Sequence, residues 1–536
     1  MFKILVSDKL GQAGLDVLDS AEDATYDLLL KKSKAELIAV LPEYDGWIVR
    51  SGTKPDAEMI AAASKLKVIG RAGIGVDNID LAAATEQGVV VMNTPGANSV
   101  ATAEQTFALM LAVSRHTAHA HLSLAKGEWN RSQYAGQELF KKTLGIVGFG
   151  RVGRLVAARA IAFGMTVIAY DPYVSEDVAR ALDVTLVDLE DLWPQADLIT
   201  LHTAATPETV NMINADSIAQ MKDGAIIINV ARGTLIDEAA LAAALDSGKL
   251  AGAAIDVFRN EPPAKAHPLI GHPKVTHTPH LGASSVEAQR NVAIQVVDQV
   301  LDALRGTEVR HAVNASFSFG PSFTAARPFI DLAEKLGLLQ YHIAADKIER
   351  VEIEVVGEAL AGLVRPIAAS FLKGMVMLCA EERGFDREVN IINAPVVADK
   401  LGIHVAQRRG LSDDIEYTNF ITCRIFWAGE DEPHTVTGTV LGGKYPRVVK
   451  ISRFFVEGLP KGVVLLLRNH DIPGGIGQIG TLLAAYNVNI AAWQMGRTAP
   501  GGEALSFINL DEMPPSPLLN AITVLPAVVK VKAMVL

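Results

Sequence analysis

The chain has 536 residues, too many for one hydrophobic core, and this length predicts three or four domains. An apolar content of 49%, a net charge of −11 and the lack of any Lys/Arg block indicate a soluble globular protein and exclude nucleic acid as an expected partner. Two cysteines rule out a disulfide scaffold and favour the cytoplasm, and we expect neither a signal peptide nor a membrane span.

Residues 1–95 alternate short apolar runs with helical stretches. Strands are predicted at KILVSD, GWIVRSG, KVIGRAG and VVVMNTPG, and KAELIAVLPEYD has helical spacing. This alternation predicts a parallel sheet. Residues 99–122 are predicted to form one long helix that is capped by Ser99, with an apolar face made of Val100, Phe107, Met110 and Leu111.

A second series of strands and helices runs from residue 143 to residue 284. Its predicted strands are TLGIVGF, MTVIAYD, DLITLHT, GAIIINVA, AGAAIDVF and KVTHTPH, and a helix follows at about 285–305. The segment FGPSFTAARP, residues 319–328, is rich in Gly, Pro and Ser and predicts a joint between domains. Beyond it, strands such as KIERVEIEVVG and ITCRIFWAG mix with helices and carry no chemical motif.

The stretch LGIVGFGRVGRLVAARAIAFGMTVIAYDPY combines a glycine-rich turn with a strand, a helix and a second strand. Gly148, Gly150 and Gly153 form G-x-G-x-x-G at the start of the helix, and Asp171 ends the second strand. In this context the helix N-terminus accepts a pyrophosphate and the acid binds the adenosine ribose. An ordinary βαβ turn is the alternative. Because Pro and Tyr, not Arg, follow Asp171, the sequence favours NAD over NADP.

Polar residues follow the strands of this second series. Thr203, Arg232, Asp256, Glu261 and His280 all lie just after predicted strands, where ligands of parallel sheets bind. A hydride transfer between an alcohol and a carbonyl needs a proton carrier, and histidine suits neutral pH. A carboxylate can fix its tautomer, and an arginine can hold a substrate carboxylate. Taken singly, each residue could equally be structural or a surface residue.

Several longer motifs carry a family resemblance. They are RSGTK, GRAGIGVDNID, VMNTPGANSVATAEQ, LGIVGFGRVG, NVARGTLIDEAAL, GAAIDVF with EPP, and TPHLGASSVEAQ, and they cover residues 45 to about 295 nearly continuously. In these motifs the chain resembles the D-2-hydroxyacid dehydrogenases, and within them the D-3-phosphoglycerate dehydrogenases of the long form. Thr234 and Arg259 depart from the family pattern, where glycine and an acid are usual, but neither departure removes a proposed catalytic group.

The resemblance implies an α/β fold of four domains. Two Rossmann-like or flavodoxin-like parallel-sheet domains are followed by an α+β intervening domain and a βαββαβ ACT domain. The expected boundaries are 1–98 with 286–314 for a discontinuous substrate-binding domain, 99–285 for the NAD-binding domain, 315–452 for the intervening domain and 453–536 for the ACT domain.

The resemblance also implies roles for individual residues. His280 is expected to be the acid/base, Glu261 its partner and Arg232 the carboxylate clamp. The expected NAD-binding residues are Gly148, Gly150, Arg151, Val152, Gly153, Asp171, Thr203, Val230, Ala231, Arg232, Asp256, His280, Gly282 and Ala283. The expected substrate-binding residues are Arg50, Ser51, Arg71, Gly73, Arg232 and His280. Arg50 and Arg71 suit a second anionic group such as a phosphate, and ordinary surface arginines are the alternative. No metal is expected.

The implied reaction is the NAD-dependent oxidation of 3-phospho-D-glycerate to 3-phosphohydroxypyruvate, the first step of L-serine biosynthesis, by a homodimer or homotetramer. Two alternatives stay open: another NAD-dependent D-2-hydroxyacid dehydrogenase, and a non-catalytic, NAD-sensing binder of the corepressor type. The complete set of Arg232, Glu261 and His280 and the acidic net charge argue against the second alternative.

The C-terminal residues have the strand and helix order of an ACT domain, a regulatory module that often pairs across subunits to bind an amino acid. A turn at Pro473-Gly474 starts a helix whose predicted inward face consists of Ile476, Ile479, Leu482 and Leu483. The positions that match the ligand loop of the family are Asn469, Asp471 and Asn489, and the implied effector is L-serine. Helix capping by these residues and a purely structural dimerisation domain are the alternatives.

Overall fold

The computed structural model describes residues 1–315, 321–344, 347–385, 387–410, 417–428 and 432–536, and the side chains of 321–325 are not described. Within these residues the strands form four sheets. The predicted joint at 319–328 lies partly outside the described residues; from Pro321 onward the segment is helical, and the joint itself stays a prediction. No helix in the described ranges is long and apolar enough to cross a bilayer.

The first sheet has five parallel strands in the order β2-β1-β3-β4-β5. Strands such as GWIV are buried along their whole length, because helices cover both faces of the sheet. Its elements are β1 (Phe2–Val6), α1 (Gln12–Asp19), β2 (Ala24–Leu28), α2 (Lys34–Val40), β3 (Gly46–Val49), α3 (Ala57–Ala62), β4 (Val68–Arg71), α4 (Leu81–Glu86) and β5 (Val90–Met92).

The second sheet has seven parallel strands in the order β12-β11-β10-β9-β6-β7-β8. Its elements are α5 (Ser99–Ser114), α6 (Thr117–Ala125), β6 (Thr143–Val147), α7 (Arg151–Ala162), β7 (Thr166–Tyr170), α8 (Glu176–Arg180), β8 (Thr185–Leu186), α9 (Leu189–Gln195), β9 (Leu198–Leu201), α10 (Ala215–Gln220), β10 (Ala225–Asn229), α11 (Glu238–Ser247), β11 (Leu250–Ile255) and β12 (Val275–His277). The strand order reverses between β6 and β9, which opens a ligand crevice there.

The helix predicted at 99–122 is in fact two helices, α5 and α6. His116 takes a left-handed φ of 51°, which interrupts the helical hydrogen-bond pattern. The polar run Ser-Arg-His-Thr at 114–117 lies at this break, between the apolar residues of the two helices. Asn98, not Ser99, is the N-cap residue, and Val100 is 52% exposed instead of buried.

After the second sheet the chain returns to the first domain through α12 (Val286–Arg305). This helix packs on β3 and β4 at two glycines that leave room for it. A Cβ on Gly70 would lie 2.5 Å from Val300 Cγ2, and one on Gly46 would lie 3.2 Å from Val300 Cγ1. The first domain therefore contains the N-terminal strands and also α12, which follows the second sheet in the chain. The residue boundaries given above stay predictions.

The third sheet has six strands in the order β14-β13-β15-β16-β17-β18. Its two long helices, α13 and α14, pack closely against each other, and a Cβ on Gly337 of α13 would lie only 2.0 Å from the carbonyl oxygen of Phe371 of α14. The elements are α13 (Pro321–Ile343), β13 (Ile348–Val356), α14 (Val364–Glu382), α15 (Ala394–Lys400), β14 (His404–Arg409), β15 (Phe420–Trp427), β16 (His434–Leu441), β17 (Tyr445–Ile451) and β18 (Phe454–Gly458).

The fourth sheet is antiparallel, in the order β20-β21-β19-β22. Its elements follow the predicted βαββαβ order: β19 (Val463–His470), α16 (Gly475–Ala485), β20 (Ile490–Arg497), β21 (Glu503–Leu510), α17 (Ser516–Thr523) and β22 (Val528–Val535). The four-domain α/β fold class is thereby confirmed. Ile479 and Leu483 are buried under α16 as predicted, but Ile476 is 53% exposed.

Strand β18 lies within the segment that we assigned to the ACT domain, yet it pairs with β17 of the third sheet. The left-handed Ser452 makes the tight turn that folds β18 back onto β17. The third and fourth sheets also share one apolar core, to which the fourth sheet contributes Leu505 and Phe507.

The intervening domain is fastened to the first domain by side chains that bind backbone carbonyls. Arg387 donates to the carbonyl oxygens of Ala63 (2.6 Å) and Ser64 (2.9 Å), which follow α3. Asn390 donates to the carbonyl oxygen of Gly88 (2.8 Å), which follows α4. Both contacts satisfy carbonyl groups at helix ends, where partners within the helix are lacking.

Candidate active site

The glycine-rich turn lies between β6 and α7, next to the end of β9. Gly148 has a φ of +95°, and a Cβ there would lie 2.6 Å from the backbone of His202. A Cβ on Gly153 would lie 2.2 Å from the carbonyl oxygen of Gly148. These two glycines are therefore required by the packing of the turn itself.

Gly150 differs from its two neighbours in the motif. Its φ of −74° suits any residue, and a Cβ built there meets nothing within 4 Å. The open space lies at the N-terminus of the 12-residue helix α7, where free N–H groups attract a phosphate. This space can accept a pyrophosphate, and a side chain at position 150 would project into it.

Asp171 borders the same turn. Its carboxylate accepts hydrogen bonds from the backbone N–H groups of Phe149 (2.8 Å) and Tyr173 (2.9 Å). These bonds hold the carboxylate at the end of β7 with lone pairs left for ribose hydroxyls. Arg151 extends from the turn to the first domain, where its Nη1 donates to the carbonyl oxygen of Pro95 (2.7 Å).

The other expected cofactor positions lie in the first turn of α7 and just after β9 and β10. Thr203 and Ala231 are partly exposed, Val152 is half-buried, and Val230 is buried. Burial lowers the pKa of the neighbouring His202 to about 3, so this ring is neutral near pH 7. The ring therefore adds no charge to the crevice.

His280 and Glu261 form a close pair at the edge of the second sheet. His280 Nδ1 and Glu261 Oε2 are 2.7 Å apart, and the side chains are 52% and 37% exposed. Burial alone would raise the pKa of Glu261, but the hydrogen bonds from His280 and from the N–H of Phe258, together with the charge of Arg232, lower it. Glu261 is therefore ionised near neutral pH.

Asp256 lies beneath the His280 loop and is completely buried. Its carboxylate accepts hydrogen bonds from the N–H groups of Leu281 (2.7 Å) and Gly282 (2.8 Å) and from the Thr278 hydroxyl (2.5 Å). With its oxygens engaged in this way, Asp256 supports the loop rather than facing the crevice. Its expected contact with a cofactor stays a prediction.

Arg232 connects the two domains across the crevice. Its Nε donates to Oδ2 of Asp77 (3.1 Å) in the first domain, and its Nη1 donates to the carbonyl oxygen of Ala231 (2.7 Å). The guanidinium lies over Gly75, where a Cβ would be 1.9 Å from Nη2. Glycine is needed at this position so that the arginine can reach the first domain.

Arg71 and Arg50 bring more positive charge to the same region. Burial, followed by the charges of Arg232 and Arg50, lowers the pKa of Arg71 to about 10. Arg71 folds over Gly73, where a Cβ would be only 1.4 Å from Nη1, and its buried Nε has no hydrogen-bond partner among the described residues. Three guanidinium groups near one another favour an anionic ligand.

Arg50 also borders a cavity of about 600 Å³ between the start of α1 and the start of α12. Ser284 and Arg290 line the same cavity, just beyond the His280 loop. Ser51, which follows Arg50, is exposed, and Ala283 is partly exposed. Of the expected site residues, Arg50 alone lines this cavity among the described residues, and the roles of Ser51 and Ala283 stay predictions.

Two functional-site acids were missed in the sequence. Asp77 binds Arg232, and Asp8 accepts the N–H groups of Arg50 (2.6 Å) and Thr53 (3.0 Å). Each acid lies in a loop after a strand of the first sheet, so the rule that placed polar residues at strand ends could have found them. The same rule pointed to Arg50 and Arg71 in this sheet, but the acids that contact the arginines lie further along those loops.

The three expected effector residues are each engaged with near neighbours. Asn469 is buried, and its Nδ2 donates to the carbonyl oxygen of His470 (3.0 Å). Asp471 pairs with Arg497 (3.0 Å), and Asn489 donates to Asp511 (2.7 Å). The described residues show no group of His, Cys, Asp or Glu placed to hold a metal ion.

Three segments match known families. Residues 107–282 match the D-isomer specific 2-hydroxyacid dehydrogenase NAD binding domain, residues 325–452 the D-3-phosphoglycerate dehydrogenase intervening domain, and residues 463–527 the ACT domain.

Two curated relatives are similar over nearly the whole chain. The D-3-phosphoglycerate dehydrogenase of Synechocystis sp. is 41% identical over 98% of this chain and 93% of its own length. That of Bacillus subtilis is 38% identical over 99% of both chains.

Solved structures resemble the two-domain segment. A Staphylococcus aureus NAD-dependent formate dehydrogenase in complex with NAD has a TM-score of 0.52 and 30% identity, over 58% of this chain and 97% of its own. An Aquifex aeolicus D-lactate dehydrogenase complexed with NAD and lactic acid has a TM-score of 0.51 and 27% identity, over 57% and 96%.

Gly150→Ala is expected to weaken NADH binding at least about tenfold while leaving the thermal midpoint unchanged, because the new methyl group meets ligand and not protein. Fluorescence titration with NADH and thermal unfolding measure the two effects. Gly477→Ala is the matched control, since its Cβ is also unobstructed but lies in the fourth domain. Wild-type NADH affinity in Gly150→Ala would contradict the placement of the pyrophosphate.

Proposed function

The chain belongs to the D-3-phosphoglycerate dehydrogenase family. We propose that it catalyses the dehydrogenation of 3-phosphoglycerate in the crevice that contains Arg71, Arg232, Glu261 and His280. The reaction is the NAD-dependent oxidation of 3-phospho-D-glycerate to 3-phosphohydroxypyruvate. The observation that carries the proposal is the His280–Glu261 pair at 2.7 Å, which lies at the same sheet edge as Arg232.

His280 is the proton carrier in this proposal. With Nδ1 bound to the Glu261 carboxylate, the N–H is on Nδ1, and Nε2 is left as an acceptor for the proton of the substrate's 2-hydroxyl group. The ionised Glu261 then stabilises the imidazolium that forms. Bound NAD supplies the acceptor for the hydride that leaves C2, and the turn around Gly150 and Asp171 would hold it.

The arginines bind the two anionic ends of the substrate. Arg232, close to the His280 pair, takes the carboxylate, which places C2 near the imidazole. Arg71, with its unpartnered Nε, and Arg50 take the phosphate. This division favours a phosphorylated acid over the simple 2-hydroxy acids that other family members use. A corepressor-like binder would have no need of the His280–Glu261 pair.

NAD is the proposed cofactor, rather than NADP, because the Asp171 carboxylate would repel a phosphate on the ribose. We also propose that the chain is a homodimer or homotetramer. Leu122, Leu124 and Trp129, on and after α6, are 58%, 56% and 76% exposed, and such apolar groupings favour self-association. Two free cysteines favour the cytoplasm, and the net charge of −11 argues against nucleic acid.

We propose that the ACT domain binds L-serine, the end product of the pathway whose first step this reaction would be. The support is the match to the ACT family and the positions of Asn469, Asp471 and Asn489 around the start and end of α16. Because the Asp471 carboxylate is held by Arg497, an amino acid's ammonium group would have to displace or share that partner.

His280→Ala is expected to lower kcat by about 100- to 10,000-fold with near-normal NADH affinity, because the proton carrier is lost while the nucleotide turn is intact. Steady-state kinetics and NADH titration measure both effects. Glu261→Gln is expected to change the acidic limb of the pH profile of kcat/KM. Turnover close to wild type in His280→Ala would remove this residue from the mechanism.

Arg71→Ala is expected to raise KM for 3-phosphoglycerate by about tenfold or more, and to change KM for D-glycerate, which lacks the phosphate, much less. The physical reason is that only the phosphorylated acid has a second anion for this guanidinium. Initial-rate kinetics with both substrates provide the comparison. An equal effect on both would assign Arg71 a structural role.

Calorimetry with L-serine tests the effector proposal on the full chain. Binding heat at millimolar serine is expected, together with a change in dehydrogenase rate. Asp471→Ala should abolish the heat if the ligand loop is placed correctly. Absence of both heat and rate change would leave the ACT domain as an element of assembly.

A further inference from the structure

The carboxylate of Asp77 occupies one edge of the Arg232 guanidinium. A bidentate carboxylate needs two neighbouring N–H groups, and the available edges are Nε with Nη2 or Nη1 with Nη2. Nη1 is held by the carbonyl oxygen of Ala231 at 2.7 Å, and Nε is held by Asp77 at 3.1 Å. A ligand that binds side-on through Nε and Nη2 must take the place of Asp77.

We propose that Asp77 is a built-in competitor for the substrate carboxylate, which holds Arg232 in the empty site and is displaced when the substrate binds. This inference rests on the proposed role of Arg232 as the carboxylate clamp. In this proposal Asp77, which belongs to the first domain, lowers the affinity of the site for anionic ligands.

The exposure of Asp77 distinguishes a displaceable partner from a structural one. Its side chain is 65% exposed, and an ion pair so open to water contributes little to stability. Asp8, the other acid near the arginines, has its Oδ2 bound by two backbone N–H groups, those of Arg50 and Thr53. Asp8 is therefore fixed in its loop, whereas the Asp77 contact can be exchanged at small cost.

The charges in the crevice support the same inference. Arg71 is buried beside Arg232 and Arg50, and the Asp77 carboxylate offsets part of this positive charge. A substrate with a carboxylate and a phosphate brings more negative charge than the single carboxylate it displaces. The exchange therefore favours the substrate, but Asp77 reduces the net gain and so weakens binding.

The test compares Asp77→Asn and Asp77→Ala with the wild-type full chain, each saturated with NADH, in calorimetric titrations with 3-phosphoglycerate. Asparagine keeps an acceptor for Nε and loses only the charge, so it preserves the position of Arg232. Glu58→Gln is the matched control. Glu58 is an exposed acid of the same domain and pairs with Lys34 at 2.7 Å.

Both Asp77 variants are expected to lower the Kd for 3-phosphoglycerate by about three- to tenfold, with Glu58→Gln within about twofold of wild type. An unchanged or raised Kd in Asp77→Asn would overturn the proposal and would make Asp77 a positioning residue for Arg232. Failure of the underlying site would look different. If Arg232 does not bind the substrate carboxylate, Arg232→Ala would have the same Kd for 3-phosphoglycerate as the wild type, whatever the Asp77 variants do.

Discussion

The loop that carries His280 depends on one buried carboxylate, that of Asp256. A buried charge is costly unless donors surround it, and here two backbone N–H groups and the Thr278 hydroxyl do so. The carbonyl oxygen of Asp256 also accepts the N–H of His280 at 2.8 Å. His280 can therefore keep a left-handed φ of 55°, which is unfavourable for a residue with a side chain and needs such support. The end of β11 thus fixes the direction of the imidazole toward Glu261.

The remaining site is built by two domains that face each other across a crevice, and charge explains how they meet. On an acidic chain, three arginines converge where β4, β3 and β10 end. Glycines at 73 and 75 leave space for two of the guanidinium groups, so the loop that carries Arg71 is shaped around them. The glycine-rich turn between β6 and α7 belongs to the second domain and contacts the first domain through Arg151. The residues that we propose for cofactor and substrate binding are therefore placed by backbone shape as much as by side-chain contacts.

Much of this arrangement could be predicted from the sequence, because strand and helix periods and the glycine spacing are local signals. The convergence of Arg232, Glu261 and His280 followed from the rule that parallel strands end at one edge. Other features depend on contacts that sequence spacing does not encode. The break at His116 is a single left-handed backbone conformation, which the spacing of the apolar residues does not specify. β18 pairs with the preceding strand, β17, because of one tight turn at Ser452. Asp77 contacts Arg232 across the boundary between two domains, which no local pattern specifies.

The attachment of the intervening domain through Arg387 and Asn390 has a mechanical consequence. Both side chains bind carbonyls in the short loops that lead into β4 and β5, at the opposite ends of those strands from the crevice. β4 is four residues long, about 13 Å, and its far end is Arg71. β4 is hydrogen-bonded to β3 on one side and to β5 on the other, so it is an interior strand of the sheet. β4 therefore connects the contact with the intervening domain at one end to Arg71 at the other, about 13 Å away along a single strand.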